Sequence, residues 1–101
     1  MLSNADKERI QAEVHASAIE DEIAHEPFAA GPMISELRYL TRALPDRAAL
    51  HAGLGFCLKR IEQLGEARAA LSRAESLLRG RGHVEIADRL RAFSEKLHPN
   101  L

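Results

Sequence analysis

Apolar residues recur at intervals of three and four along most of the chain, which is the spacing that predicts amphipathic helices. Four stripes follow it: Met33, Leu37, Leu40 and Leu44; Leu50, Leu54, Cys57, Ile61 and Leu64; Ala67, Ala70, Leu71, Ala74, Leu77 and Leu78; and Ile86, Ala87, Leu90, Phe93 and Leu97. No segment alternates apolar and polar residues for long enough to indicate a strand. We therefore predict four successive helices, preceded by a helix with a different pattern.

The first helix is predicted from its start signal. Ser3 is a candidate N-cap, and Asp6 stands three residues later in the capping-box position. The helix then extends to about His25 and carries two weak apolar stripes instead of one. They are Ile10, Val14 and Ala18 on one side, and Ala12, Ala16, Ile19 and Ile23 on the other. Because a helix that is apolar on two sides usually has two neighbours, a second copy of the chain is a candidate for one of them.

Prolines and glycines mark the boundaries between the helices. The breaks fall at Pro27, Gly31 and Pro32, at Pro45, at Gly65, at Gly80-Arg81-Gly82, and before Pro99. Pro32 suits the first turn of the second helix, where its missing N–H costs nothing. Asp46 follows Pro45 and is a candidate cap for the third helix. Gly65 is assigned to the turn between the third and fourth helices.

The composition fits one all-helical domain. A chain of 101 residues is long enough for one domain and too short for two, and 46% hydrophobic residues argue against disorder over its whole length. Only four residues are aromatic, so the core is expected to consist of leucine, isoleucine and alanine, which suit helices. We predict an all-α array of five helices over residues 1–101: an acidic helix within 1–27, helices over 33–78 and a capping helix over 83–98.

Charge is unevenly distributed although the net charge is only −1. Residues 1–27 carry seven acids and two bases, whereas residues 28–101 carry twelve bases and eight acids. The opposite charges either help the two parts to pack or mark two surfaces for two partners. The N-terminus lacks the apolar run of a signal peptide, and no apolar stretch is long enough to span a membrane. Together with a single cysteine, this predicts a cytoplasmic protein without a membrane partner.

Residues 39–77 carry several residue types at characteristic spacing. They are Pro45-Asp46, Leu54-Gly55, Ala67, Leu71 and Ala74. This segment resembles a tetratricopeptide repeat, a pair of antiparallel helices that recurs about every 34 residues. The resemblance implies an antiparallel helical hairpin in which Gly55 and Ala67 face each other, while Leu54 and Leu71 fill the layer between repeats.

The chain departs from the pattern of that family at several positions. His51 stands where tryptophan is usual, Leu58 where tyrosine is usual, and Arg79 where the closing proline is expected. One repeat upstream and one downstream, Glu20-Asp21 and Asp88-Arg89 replace the Leu-Gly pair. The chain therefore resembles one repeat with the second helix of a repeat before it and a capping helix after it. Because about three repeats are needed for stability, a partner or self-association is expected.

The resemblance implies a protein-binding module that acts as an adaptor or chaperone and is similar to the small chaperones of secretion systems. In that family the first helix of each repeat lines a groove, and the corresponding residues here are Ala49, Ala52, Phe56, Lys59 and Arg60. An apolar wall with a basic edge suits an amphipathic helix or an apolar segment of a partner protein. In the alternative interpretation, the chain's own first helix covers Ala49, Ala52 and Phe56.

Residues 57–77 also allow an interpretation as a helix-turn-helix that binds DNA. Arg68 and Arg73 would then face phosphates or bases from the second helix. Two positions disfavour this: Ile61 stands where the motif needs a small residue, and Glu66 stands where it needs an apolar one. The acidic first helix further weakens the basic footprint of a DNA-binding protein, so nucleic acid is not the favoured partner.

No residue pattern predicts an enzyme, a metal site or a cofactor. Glu22 with His25 and Glu95 with His98 match the Glu-x-x-His spacing of di-iron bundles, but two such pairs are close to chance for this composition. Cys57 lies within an apolar stripe, where a buried structural thiol is expected instead of a nucleophile. Phosphate-binding loops and catalytic triads leave no signature in the sequence.

Overall fold

The computed structural model describes residues 3–24 and 30–97, which form five α-helices joined by short connections. The helices are α1 (Asn4–Ala24), α2 (Ala30–Ala43), α3 (Ala48–Arg60), α4 (Leu64–Gly80) and α5 (Val84–Glu95). Within these described ranges there is no strand, so the predicted all-α array of five helices is confirmed. None of the described helices combines the length and apolarity that crossing a bilayer requires.

The start of α1 is the predicted capping box. The backbone N–H of Asp6 donates to Ser3 Oγ at 3.1 Å, and the backbone N–H of Ser3 donates to Asp6 Oδ2 at 3.3 Å. Two donors that the first turn would otherwise leave unpaired are thereby satisfied. His25, the predicted end of this helix, lies outside the described residues.

The two apolar stripes of α1 have different surroundings. Ala12 and Ala16 are buried against the rest of the molecule, where α1 contacts α2 and α3. Ile10 and Val14 belong to the other stripe and are 48% and 67% exposed. The stripe that contains Ala12 and Ala16 is predicted to continue with Ile19 and Ile23, whose side chains are outside the described part. The predicted outer face of α1 is therefore apolar and uncovered within the described structure.

The core is aliphatic, as the composition predicts. Among the described residues no polar or charged side chain is buried. The largest fully buried side chains are Leu37, Leu40, Leu50, Leu58, Leu71 and Cys57. Burying a leucine contributes about 1.5–3 kcal/mol, so these side chains from α2, α3 and α4 account for much of the driving force for folding.

α3 and α4 form an antiparallel hairpin whose two backbones come very close at Gly55. A Cβ atom on Gly55 would lie 2.6 Å from Leu71 Cγ and 3.2 Å from the carbonyl oxygen of Ala67. Gly55, Ala67 and Leu71 are all buried, and the expected close approach of Gly55 to Ala67 is therefore confirmed. Leu54 is only half-buried and packs at the edge of the core.

The turn between α3 and α4 lies before Gly65, so its assignment to Gly65 is wrong. α3 ends at Arg60, the turn spans 61–63, and Gly65 is already the second residue of α4. Glu62 adopts the left-handed conformation with φ 61°, a conformation for which glycine is usually selected. Ile61, expected in the buried stripe, is 45% exposed in this turn.

Hydrogen bonds explain why the turn falls at Glu62. The N–H of Gln63 donates to the carbonyl of Leu58 at 2.9 Å, and the N–H of Glu62 donates to that of Lys59 at 3.0 Å. This pair of bonds defines a Schellman motif, which satisfies the last carbonyls of α3. The same motif closes α4, where the left-handed residue is Gly82 with φ 83° and the bonds run from residues 82 and 83 to the carbonyls of residues 79 and 78.

Asp46 does not cap α3 as expected. The N-cap is Arg47, and no side chain caps this helix. The carbonyl oxygen of Asp46 instead accepts a hydrogen bond from the guanidinium of Arg81. The carboxylate of Asp46 lies 4.0 Å from the guanidinium of Arg73. Asp46 therefore connects the loop before α3 to α4 and to the turn that follows α4.

Arg79 joins α4 to α5. Its guanidinium donates to Glu75 at 2.8 Å within α4 and to Asp88 at 2.7 Å on α5. The hydrogen bond to Glu75, followed by the one to Asp88, raises the pKa of Arg79 above its usual value. The guanidinium of Arg79 therefore carries its positive charge near neutral pH and links the two helices through these carboxylates.

The Gly55 contact can be tested with a single methyl group. We expect Gly55→Ala to lower the free energy of unfolding by about 1–3 kcal/mol, because the new Cβ overlaps Leu71. In Gly55→Ala/Leu71→Ala the added methyl group meets no leucine, so the combined loss should be smaller than the sum of the two single losses. Urea denaturation measures the free energy of unfolding of all three variants.

Gly65→Ala is the matched control, since nothing lies within 4 Å of a Cβ atom placed at this position. It should be neutral or stabilising by up to about 1 kcal/mol. Additive losses at positions 55 and 71 would contradict the contact.

Adding glycine to the first Schellman turn and removing it from the second should change the free energy of unfolding in opposite directions. Glu62→Gly should raise the free energy of unfolding by up to about 1 kcal/mol, since it removes the strain of a left-handed non-glycine residue. Gly82→Ala should lower it by about the same amount, since it introduces that strain. Thermal denaturation of both variants measures the effect. A destabilised Glu62→Gly protein would mean that the Glu62 side chain has a contact that outweighs its backbone strain.

Candidate functional site

Two aromatic rings connect the surfaces of α3 and α5. Phe56 and Phe93 meet edge to face, with ring centroids 5.3 Å apart and an interplanar angle of 77°. Both rings are half-buried and pack against the core. No Cα atom of α3 lies within 8 Å of a Cα atom of α5, so the side chains and not the backbones bridge these two helices. A cleft between helices results when only side chains span the gap.

An open cleft of about 660 Å³ lies where α3 and α5 end, and we call it the α3–α5 cleft. It is lined by Lys59, Arg60, Glu62, Leu64, Gly65, Lys96 and Leu97. Leu64 is half-buried and Leu97 is buried, so they form an apolar floor. Three cations and one carboxylate make up the rim.

Lys59 occupies a defined position at this cleft. Its Nζ atom lies 5.9 Å from the centroid of the Phe93 ring, within reach of a cation–π interaction. Arg60 is exposed beside it, and both are in the last turn of α3. Cations near the C-terminus of a helix interact favourably with its dipole. The dipole of α3 and the contact with Phe93 therefore position the charge of Lys59 at the cleft.

The predicted groove residues lie in two groups. Lys59 and Arg60 line the α3–α5 cleft. Phe56 lies next to it, where the Phe93 ring covers one edge of its own ring. Ala49 and Ala52 lie one to two turns earlier on α3 and are not among the residues that line the cleft. Ala49 is exposed, so the alternative expectation that the first helix covers it is wrong.

Leu64, Lys96 and Leu97 belong to the cleft but were not predicted as site residues. Their place in the cleft could have been inferred from the two short turns that join α3 to α4 and α4 to α5. Because α4 runs antiparallel to both α3 and α5, the ends of α3 and α5 must lie at the same end of the molecule. The residues after α5 then approach the turn between α3 and α4.

Cys57 is fully buried, as expected. Burial raises the pKa of its thiol, and the nearby charge of Arg60 lowers it by a smaller amount. A thiol with a raised pKa stays protonated near neutral pH and is a poor nucleophile. Cys57 therefore contributes apolar volume to the core.

The hairpin differs in shape from a helix-turn-helix. In that motif the two helices cross at about 90–120° and diverge from their turn. Here α3 and α4 remain in contact at Gly55 and Leu71, eight residues away from Gln63 on either side. Arg68, a proposed DNA contact, is exposed on α4. The geometry of residues 57–77 gives the DNA-binding interpretation no support.

The two Glu-x-x-His pairs are only partly within the described structure. His25, His98 and the side chain of Glu22 lie outside it. Glu95 is exposed and lies 3.6 Å from the guanidinium of Arg91. Among the described residues no group of three or more potential metal ligands is brought together.

The contact between Phe56 and Phe93 predicts a coupled loss of stability. Phe56→Ala and Phe93→Ala should each lower the free energy of unfolding by about 2–4 kcal/mol, because each removes a large, partly buried ring from the edge of the core. A double-mutant cycle by urea denaturation should give a coupling of about 0.5–1.5 kcal/mol, the usual value for an edge-to-face pair. Zero coupling would show that the rings do not interact in solution.

Comparisons with known proteins yield no relative for this chain. No family model, no curated protein and no solved structure matches it. The resemblance of residues 39–77 to a tetratricopeptide repeat therefore stays a prediction from the residues.

Proposed function

We propose that the chain is a non-catalytic protein-binding module, an adaptor or chaperone, which holds an amphipathic helix or apolar segment of a partner protein. The observation that carries this proposal is the α3–α5 cleft, which has a leucine floor and a charged rim. Leu64 and Leu97 would bury an apolar side chain of the partner, while the rim would orient its polar neighbours.

The packing of the hairpin also supports this proposal. Gly55 approaches Ala67 as the tetratricopeptide resemblance implies, and α5 packs on α4 as a capping helix would. In proteins of that family the repeats present peptide-binding surfaces. We extend the resemblance to function on this basis, and we place the protein in the reducing cytoplasm, which suits the free thiol of Cys57.

Self-association through α1 is a second element of the proposal. Ile10 and Val14 form an exposed apolar stripe on a helix whose opposite side is buried. Exposed apolar surface of this kind is typical of an interface, and a second copy of the chain would cover it. Such contact would leave the α3–α5 cleft free, since all the described residues that line the cleft lie at position 59 or later.

Gly65 provides a way to block the cleft without disturbing the core. It lines the cleft, and nothing lies within 4 Å of a Cβ atom placed on it. Gly65→Trp should therefore fill the cleft and fold at least as stably as the wild type, because any ordinary residue favours a helix over glycine. Gly80→Trp is the matched control, since Gly80 is equally unobstructed but lies at the other end of α4.

The experiment is affinity capture from native lysate with the wild type and both variants, followed by mass spectrometry. We expect one or a few proteins that bind the wild type and Gly80→Trp but are lost with Gly65→Trp. Equal capture by all three proteins would refute the cleft as the binding site. Capture of nucleic acid alone would refute the protein-binding module and restore the helix-turn-helix interpretation.

A further inference from the structure

We infer that α1 pairs with α1 of a second copy of the chain, with the two helices antiparallel and a two-fold axis at Val14. This inference rests on the self-association that is part of the proposed function and adds the geometry of the pair. It begins with the outer face of α1, whose described residues include Lys7, Ile10, Val14 and Ala18. All four are exposed, whereas Ala12 on the opposite side is buried. A partner that docks on α1 would therefore contact this face.

The positions along the outer face are symmetric about Val14. Ile10 and Ala18 stand four residues before and after it, and Lys7 and Asp21 stand seven residues before and after it. Since α1 extends from Asn4 to Ala24, the whole series lies within one helix. Residues four and seven apart share one face of a helix. An antiparallel copy with its axis at Val14 therefore sets residue 10 opposite residue 18 and residue 7 opposite residue 21.

The residue types on the two sides of this axis are complementary. The large side chain of Ile10 meets the small one of Ala18 of the second copy, and Val14 meets its own counterpart. Large residues that face small ones let two helices pack closely. At both ends of this apolar centre a base stands opposite an acid, because Lys7 faces position 21, which is Asp21. Opposite charges of this kind fix the register of an interface.

Lys7 can take part in this contact without giving up an ion pair. Among the residues that the structure describes, no carboxylate lies within 4.0 Å of its amine. Glu13 flanks the outer face and lies 3.5 Å from the guanidinium of Arg9 on the same helix. The charge of Arg9 partly offsets that of Glu13, so the repulsion between the two copies of this acid is reduced.

A parallel pair is less favourable for the same face. It would set Lys7 against Lys7 of the second copy, and it would place the like ends of the two helix dipoles side by side. In the antiparallel pair, the positive end of each dipole lies beside the negative end of the other. Side-chain charge and helix dipole therefore select the same orientation.

The pair is expected to be weak. α1 has 21 residues and is therefore about 30 Å long. Stable interfaces bury about 800 Å² on each partner, and a single helix face with two large apolar side chains is more typical of a transient contact. We expect a dissociation constant on the order of 100 μM. Each dimer carries two α3–α5 clefts, one for each copy.

Disulfide cross-linking tests the orientation. A mixture of Ile10→Cys and Ala18→Cys should form the mixed dimer, because these positions face each other. Ile10→Cys alone should cross-link several-fold less, because its two copies lie about 12 Å apart along the helices and a disulfide needs Cα atoms within about 7 Å. The wild type is the control, since Cys57 is fully buried. Dominant cross-linking of Ile10→Cys with itself would show a parallel pair and overturn the inference.

Charge reversal tests the two ends of the pair, with sedimentation equilibrium at low salt as the measurement. Lys7→Asp and Asp21→Lys should each weaken the dimer about tenfold, because each sets like charges opposite one another at both ends. The double variant Lys7→Asp/Asp21→Lys should recover the wild-type affinity. Thermal denaturation checks that all three variants fold.

Net charge alone cannot produce this result. The two single variants change the net charge in opposite directions, so a general charge effect would weaken one dimer and strengthen the other. In a parallel pair each reversal replaces one repulsion by another and leaves the affinity unchanged. Unweakened single variants, or a double variant that does not recover, would overturn the inference.

The outcomes distinguish this inference from the proposed function of the cleft. A wild type that stays monomeric well above the expected dissociation constant overturns the inference and the self-association with it, while loss of capture by Gly65→Trp would still support the cleft. If instead the mixed disulfide forms and Gly65→Trp loses no captured protein, the inference stands and the cleft is refuted. Val14→Glu sets two carboxylates at the axis and should abolish the dimer in either case; an unchanged dimer would place the contact elsewhere and overturn the inference.

Discussion

The contact between Gly55 and the helix opposite it determines how the rest of the molecule is arranged. With no side chain at this position, the α3 backbone approaches the carbonyl of Ala67 and the side chain of Leu71 directly. This close approach fixes the register of the hairpin, in which Leu58 and Cys57 are fully buried. α5 then packs on α4, and its end reaches the turn where the cleft is formed.

Local sequence patterns were sufficient to predict the helices but not the position of every turn or the composition of the cleft. The capping box of Ser3 and Asp6 and the facing of Gly55 and Ala67 depend on residue types whose chemistry permits few alternatives. Gly65 was misleading because glycine is common in turns, whereas hydrogen bonds to the last carbonyls of α3 select Glu62 instead. Leu97 joins the cleft through the packing of α5 on α4, which follows from the two short turns and not from the residue types around Leu97.

The two ends of the helical array use their charges differently. At the end where α2 leads into α3, Asp46 accepts from Arg81 and lies near Arg73, so charged groups connect neighbouring segments. At the opposite end, Lys59 and Lys96 surround a leucine floor and form no described ion pair. Charged groups therefore connect chain segments at the first end, whereas the second end presents an open cleft.

The repeated Schellman turn also has a kinetic consequence. Since three-residue turns join α3 to α4 and α4 to α5, most helix contacts form between elements that are adjacent along the chain. Little loop entropy is lost before such contacts begin to stabilise the chain, and helical proteins with local contacts fold within about microseconds to milliseconds. Each helix can dock soon after it forms, so a nascent chain would expose its leucines only briefly before they are covered.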